Sequence, residues 1–550
     1  MRRISRRDFV EQSLVGGLAI VGAGATPAAA FGARARSRLA DSHIELLLDE
    51  PTGTIAPEIY GHFVEELGGV VYDGIWVGEN SKIPNYNGVR KALVDAFRAV
   101  RPSVVRWPGG CAADDYDWRD GIGPRAKRPR RTNFWANDPS LKKLGATPQS
   151  YDPNEFGTQE FLRFCKLVQA QPYLAVNLRQ LPPRQFVEWV EFCNSPAGST
   201  SLAELRGSYG DREPFGVRFW GVGNEAWGCG GDFTPEAYAS EFRRFTAGGV
   251  HDFGVKLAFI GSGPNGGDLE WTRRFFASMA ERNALGRMWG WALHHYSNAP
   301  DREALAFDTT NWYECLRSAN QMESLITSHW QVMGQYDRDH RVKFAVDEWG
   351  AWYRQNTNVD PTHLFGQQST VRDALVAGLT LDTFNRHADK VAMANVAQLV
   401  NCIQSLFLAH EDRFLLTPTY HVFAMYAAHQ GAQGVRALFA APHVTWTDAQ
   451  QRPRELWGLN GSASLNGRVL TLTVTNSHAT DPRETEVALR GGAARSVKVT
   501  TLSAADIHAH NTFESPATVT PVETEISTSG ATLVHRFPAA SVTKLRIELS

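Results

Sequence analysis

The stretch "VRFWGVGNEAWG" (residues 217–228), followed by "TPEAYASEFRRFTAGGV" (234–250), reads as one strand running into one helix. Branched and aromatic residues crowd its first half, glycines interrupt its end, and apolar residues then recur at helical spacing. The same alternation extends to both sides. "SVVRWPGG", "QPYLAVNL", "KLAFIGSG", "MWGWALHHYS", "VKFAVDEWG" and "AMANVAQLV" are short strands, and "VRKALVDAFRAV" and "GTQEFLRFCKLVQ" are amphipathic helices between them. Strand then helix, repeated, means parallel βα units. About eight such strands over roughly 375 residues predict a closed (β/α)8 TIM barrel with long loops, not an open doubly wound sheet. No G-x-G-x-x-G follows the first strand, which argues against a dinucleotide site.

After residue 430 the period changes. "GRVLTLTVTNSHA", "ETEVALRG", "RSVKVTTLS", "ATLVHRF" and "SVTKLRIELS" alternate with period two, so residues 431–550 are expected to form an antiparallel β-sandwich of jelly-roll type. The isolated strand "HIELLLDE" (43–50) is expected to complete it, leaving residues 51–430 for the barrel.

Composition narrows the function. The formal net charge is -2, which favours neither nucleic acid nor an acidic membrane surface as a global partner; the one dense basic run, "PRAKRPRR" (124–131), reads as a solvated or substrate-flanking loop. The 16 Trp and 14 Tyr suit a sugar-binding cleft, although any one of them serves equally well as core filler. Six cysteines carry no C-x-x-C pair and suggest neither a disulfide framework nor a zinc site. At the N-terminus, "SRRDFVEQSLVGGLAIVGAGATPAAAFG" has paired Arg6 and Arg7, a mild apolar run and small residues at Ala28–Ala30. It resembles a twin-arginine signal peptide over residues 1–30, so the expectation is export to a periplasm or the exterior, with no membrane anchor left after cleavage.

Barrel enzymes carry their chemistry at the carboxyl ends of the strands. Arg106, Asn224, Glu225, His294, Tyr296, Glu348 and Gln398 all fall at such ends. Burying that many polar groups is costly for stability alone, so they point to a shared cleft. Glu225 and Glu348 are 123 residues apart, which places them after strands four and seven, on facing walls of the mouth. Either glutamate alone is an ordinary ion-pair partner. Together they are the minimum kit for glycoside hydrolysis, one donating a proton and the other attacking the sugar.

Strand alternation sorts the neighbours. His294 and Tyr296 share a face and His295 takes the other, so "HHY" cannot offer both histidines to one metal. Asp347 points away from Glu348 on a regular strand and reads as structural. Asn224 looks inward only if the backbone bulges, which Gly221 and Gly223 permit.

These motifs carry a family resemblance. "IYGHFVEELGGVVYDGIWVG", "VRWPGGCAADDYDWRDGIGP", "NEFGTQEFLRF", "WGVGNEAWG", "LHHYS", "DEWGAWY", "MANVAQLVN" and "LLTPTYHVFAMY" occur in order, and the chain resembles glycoside hydrolase family 51, the α-L-arabinofuranosidases. The resemblance implies Glu225 as general acid/base, Glu348 as nucleophile and Asn224 on the sugar 2-hydroxyl. It also implies that Glu65, Arg106, Tyr296 and Gln398 hold the furanose or the nucleophile, that His294 tunes the network, and that Trp352 lines the cleft; Trp135 is a looser candidate for its wall. It further implies an exo-acting, retaining enzyme on arabinan, arabinoxylan or arabino-oligosaccharides, without metal or organic cofactor, and a homo-oligomer, often a hexamer. Cys111 stands where many members carry a sugar-binding Asn, so a weaker thiol contact is expected there. Glu66 replaces a common His. The competing readings are an endo-β-glucanase or β-xylosidase built on the same glutamates, and a non-catalytic carbohydrate-binding protein.

Overall fold

The computed structural model describes residues 40–144, 148–354 and 363–550. The proposed leader, residues 1–30, lies outside the described residues.

Eight parallel strands close into a barrel. In chain order they are Gly61–Phe63, Val104–Trp107, Gln171–Val176, Phe219–Val222, Ala258–Gly261, Gly290–Ser297, Lys343–Ala351 and Val391–Ala397. Val104, Tyr173, Phe219, Ile260, Ala292, Ala345 and Met393 fill the interior. Glu225 therefore follows the fourth strand, and Glu348 sits near the end of the seventh.

The helix after the fourth strand, Pro235–Phe245, shows how a local signal sets an element. Thr234 caps it by accepting from the Ala237 amide at 3.3 Å, and Pro235 occupies the first turn, where no amide is needed. Its Tyr238, Ala239, Phe242 and Phe245 face inward. The Tyr238 hydroxyl donates to the Val222 carbonyl at 2.7 Å and accepts from the Ser262 amide at 2.6 Å, which pins the helix to the ends of two strands.

One irregularity matters for the site. The seventh strand carries one extra residue against both neighbours: Ala345 to Glu348 spans Ala292 to His294 of the sixth strand, and Val346 to Trp349 spans Ala394 to Val396 of the eighth. An extra residue at a strand end re-aims the side chains beyond it.

The C-terminal region forms one nine-stranded sheet that includes the strand Ser42–Thr54. That strand pairs antiparallel with Gln433–Ala440 but parallel with Arg483–Arg490, so the sheet is not purely antiparallel as the period-two pattern suggested. Alternation along a strand reports which face is buried, and it is silent on the direction of the neighbour. Ile44, Leu46, Leu472, Val487, Val499, Leu533 and Leu545, from six strands, share one core, so the sheet curls around it. The sheet packs directly on the barrel through helix Val371–Arg386, whose Asp382 accepts from Ser462 Oγ at 2.7 Å and Thr473 Oγ1 at 2.6 Å. Among the described residues no helix is long and apolar enough to cross a membrane.

Candidate active site

Arg106, on the second strand and 1% exposed, is the hub of the barrel mouth. Its Nη1 donates to Glu348 Oε1 at 2.8 Å and to the Asp347 carbonyl at 3.2 Å, and its Nη2 donates to Asn224 Oδ1 at 2.6 Å. The Phe63 ring lies 4.6 Å from the guanidinium carbon, so the charge is held against an aromatic face as well. Such a fork fixes at once two groups of the seventh strand and one just beyond the fourth.

Glu225 and Glu348 meet as their sequence spacing implies. One carboxylate oxygen of each, together with a ring nitrogen of His294, lies within 4.8 Å of the other two. The His294 Nδ1 is 3.0 Å from Glu225 Oε1 and 3.5 Å from Glu348 Oε2, while its Nε2 is 3.2 Å from Asp347 Oδ1. Burial works against charge on this ring, but Glu348, Asp347 and Glu225 outweigh it and raise the imidazole to about 10. It is therefore a cation that donates from both nitrogens. Tyr296 donates its hydroxyl to Glu348 Oε2 at 2.8 Å. His295 turns the other way and reaches the Ser318 carbonyl, as alternation requires.

Asp347 corrects the reading of a regular strand. It accepts from the Tyr173 hydroxyl at 2.7 Å and from His294, and lies 3.5 Å from Arg106 Nε. Burial opposes its charge, but Arg106 and then His294 hold its carboxyl below the usual range. The register shift after Val346 is what brings two consecutive carboxyl groups into one network.

Asn224 is buried and faces inward through the break in the strand that its glycines allow: Gly223 has φ +80 and Glu225 φ +37. Asp114 holds the turn by accepting the Asn224 amide at 3.1 Å and the Leu178 amide at 2.7 Å. A Cβ on Gly230 would stand 1.7 Å from the Asn224 carbonyl oxygen, so only glycine fits there. Glu65, from the loop after the first strand, accepts from the Ala112 amide at 3.1 Å and from Gln398 Nε2 at 3.0 Å. Burial, and next Glu348, raise its carboxyl to about 8.

Cys111 is not a free thiol. It forms a disulfide with Cys229, 118 residues on, joining the loops after the second and fourth strands. The expected thiol–sugar contact is thus replaced by a disulfide wall. Cys229 Sγ lies 3.7 Å from both Glu225 Oε2 and Asn224 Nδ2. Trp352 packs edge-on against Tyr296 with centroids 5.0 Å apart and against Phe365 at 5.1 Å; Phe365 in turn meets Trp135 at 5.5 Å. These rings line one side of the mouth.

Asp347, Tyr173, Asp114 and Cys229 are the members that sequence reasoning did not assign. Asp347 was visible beside Glu348 but read as structural, and Tyr173 left a trace, a hydroxyl amid the otherwise apolar "YLAV" of its strand.

A TIM barrel with two carboxyl groups facing each other at its C-terminal mouth, beside a cluster of aromatic rings, is the arrangement of a glycoside hydrolase. Comparison with known proteins gives the family. Residues 96–311 match the α-L-arabinofuranosidase 1 domain, and residues 347–541 match the α-L-arabinofuranosidase C-terminal domain. A Bacteroides ovatus protein named intracellular exo-α-L-arabinofuranosidase is 34% identical over 507 residues, 91% of this chain and 94% of its own length. The crystal structure of a GH51 arabinofuranosidase from Xanthomonas axonopodis pv. citri superposes with a TM-score of 0.84 at 35% identity, covering 92% of this chain and 100% of that one. The Thermotoga maritima α-L-arabinofuranosidase arabinose complex gives 0.79 at 27% identity, with the same coverage of both chains. The chain belongs to glycoside hydrolase family 51, the α-L-arabinofuranosidases. It is an arabinofuranosidase, and its substrate is an arabinose-containing glycan.

The expectation of export is overturned. The Bacteroides ovatus relative and a Streptomyces lividans relative, 28% identical over 490 residues, are both named intracellular enzymes. The Arg6-Arg7 pair on which that expectation rested falls outside the described residues.

Proposed function

We propose that the protein is a retaining, exo-acting α-L-arabinofuranosidase that removes terminal non-reducing α-L-arabinofuranosyl residues from arabinan, arabinoxylan or arabino-oligosaccharides. The observation that carries this reading is the approach of the Glu225 and Glu348 carboxylate oxygens to within 4.8 Å. Retaining glycosidases keep their carboxyl groups about 5–5.5 Å apart, whereas inverting ones leave about 6.5–9.5 Å for a water. The exo preference follows the names of the Bacteroides ovatus and Streptomyces lividans relatives.

In this mechanism Glu348 attacks the anomeric carbon while Glu225 protonates the departing glycosidic oxygen. The C–O bond to the aglycone breaks, and a covalent arabinosyl–Glu348 ester forms. Glu225, now a carboxylate, takes a proton from water, whose oxygen displaces Glu348. Arg106 and Tyr296 hold the Glu348 oxygens in line. The His294 cation, itself anchored by Asp347, occupies one oxygen of Glu225 and leaves the other to face the leaving group. Asn224 meets the sugar 2-hydroxyl. Glu65 and Gln398 bind further hydroxyls, Glu65 as a neutral acid able to donate. Trp352 packs on the sugar face.

Proton NMR of the first-formed arabinose tests the stereochemistry: the α-anomer is expected, and initial release of the β-anomer refutes retention. A panel of nitrophenyl glycosides, with arabinan oligomers of defined length, tests the exo preference through release of monomeric arabinose alone.

A further inference from the structure

Asp73, His363 and His410 converge in a cluster separate from the catalytic network. They come from three different loops of the barrel mouth. Asp73 follows the first strand, His363 lies between the seventh strand and helix Val371–Arg386, and His410 ends the short strand Phe407–His410 beyond the eighth. One ligand atom from each lies within 4.8 Å of the other two. Asp73 Oδ2 is 3.0 Å from His410 Nδ1 and 3.8 Å from His363 Nε2.

The carboxylate is oriented from behind. Its other oxygen, Oδ1, accepts from the Glu411 amide at 2.8 Å and lies 3.5 Å from Arg90 Nη2. Arg90 directs its remaining donors to the carbonyls of Gly74, Asp73 and Glu411, and so braces the loops that carry two of the three side chains. Outer contacts of this kind are how proteins aim a metal ligand.

An Asp–His hydrogen bond needs only one imidazole. Two imidazole nitrogens from distant loops turned to the same carboxylate oxygen form a three-ligand donor set. Zinc binds nitrogen at about 2.0–2.1 Å and carboxylate oxygen at about 2.0–2.2 Å, so tetrahedral ligand atoms stand about 3.3 Å apart. The observed 3.0 and 3.8 Å straddle that value. Two nitrogens and one oxygen also favour zinc over calcium or magnesium, which take oxygen ligands.

We infer that Asp73, His363 and His410 bind a zinc-class divalent cation, with water as the fourth ligand, and that the ion clamps the three loops at the rim of the sugar pocket. The clamp reaches the pocket wall through the chain: His363 lies two residues before Phe365, which packs on both Trp352 and Trp135. The ion is structural and takes no part in the chemistry at Glu225 and Glu348.

The test is calorimetric titration of zinc chloride into the chelator-stripped full-length protein, with thermal unfolding followed in parallel. One equivalent of zinc is expected to bind and to raise Tm, because an ion bound only by the folded chain stabilises it. His410→Ala and His363→Ala are each expected to weaken binding by about 100-fold or more and to abolish the rise. Both variants leave the Glu225–His294–Glu348 cluster intact, so zinc held there would bind them as it binds the wild type. His410 is only half-buried, so His410→Gln gives the same readout if His363→Ala does not fold. Absence of zinc binding to the wild-type protein, or undiminished binding in the histidine variants, overturns the inference.

Discussion

Asp347 and Glu348 are consecutive in the chain, yet Arg106 meets both: its Nε lies 3.5 Å from Asp347 Oδ2, and its Nη1 donates to Glu348 Oε1 at 2.8 Å. On a regular strand these carboxyl groups would stand on opposite faces. The shifted register beyond Val346 puts them in one network, so Asp347 supports the reacting groups through Arg106 and His294.

Asp347→Ala leaves the Arg106 and His294 charges buried without their partner. Removing one member of a buried ion pair costs about 3–5 kcal/mol. A large drop in Tm is expected, with a fall in kcat that exceeds the change in KM, because the positions of Glu225 and Glu348 are disturbed more than sugar binding is. Thermal unfolding and steady-state kinetics on a nitrophenyl arabinofuranoside check both.

Glu348→Ala is expected to abolish turnover on every arabinoside. Glu225→Ala should cost about 100- to 10,000-fold on natural linkages. It should spare formation of the glycosyl-enzyme from aryl arabinosides with good leaving groups, which need no proton, so a burst of the phenol is expected. Full activity of both variants on an arabinan oligomer would remove the assignment.

The Cys111–Cys229 disulfide closes a long loop beside Glu225. Replacing both cysteines by serine is expected to lower stability by about 2–4 kcal/mol. A reductant should lower the Tm of the wild-type protein and leave that of the double variant unchanged. Identical wild-type curves with and without reductant would contradict the bridge.

Glu65, raised to about 8 from an ordinary 4.5, keeps a proton in the folded chain that the unfolded chain has released. The stability from this group is full below pH about 4.5 and is lost as pH rises through about 8. His294, raised to about 10 from 6.5, acts in the same direction: its contribution is complete below about 6.5 and is lost through about 10. Tm should therefore fall from mildly acid to alkaline pH. In Glu65→Gln, which stays neutral, the fall between pH about 5 and about 8 should be shallower.

Much of this site was legible in the amino-acid order. Glu225 and Glu348 could be placed on facing walls because βα units have a nearly constant length, and Arg106, Tyr296 and Gln398 stood out as polar residues at the ends of apolar strands. Asn224 carried its own condition, a bulge at glycine, and Gly223 meets it with a positive φ. The lone strand at 42–54 was visible as a strand, but its parallel partner Arg483–Arg490 was not.

What the sequence determined by itself was periodicity and position: which segments are strands, which faces are buried, and which strand ends carry carboxyl groups. These are local properties, set by side-chain spacing along the backbone. Tertiary structure alone decided the one-residue slip that turns Asp347 inward, the pairing of two cysteines 118 residues apart, and the meeting of Asp73, His363 and His410. Each depends on where separate loops end in space, and short-range preference carries no information about that.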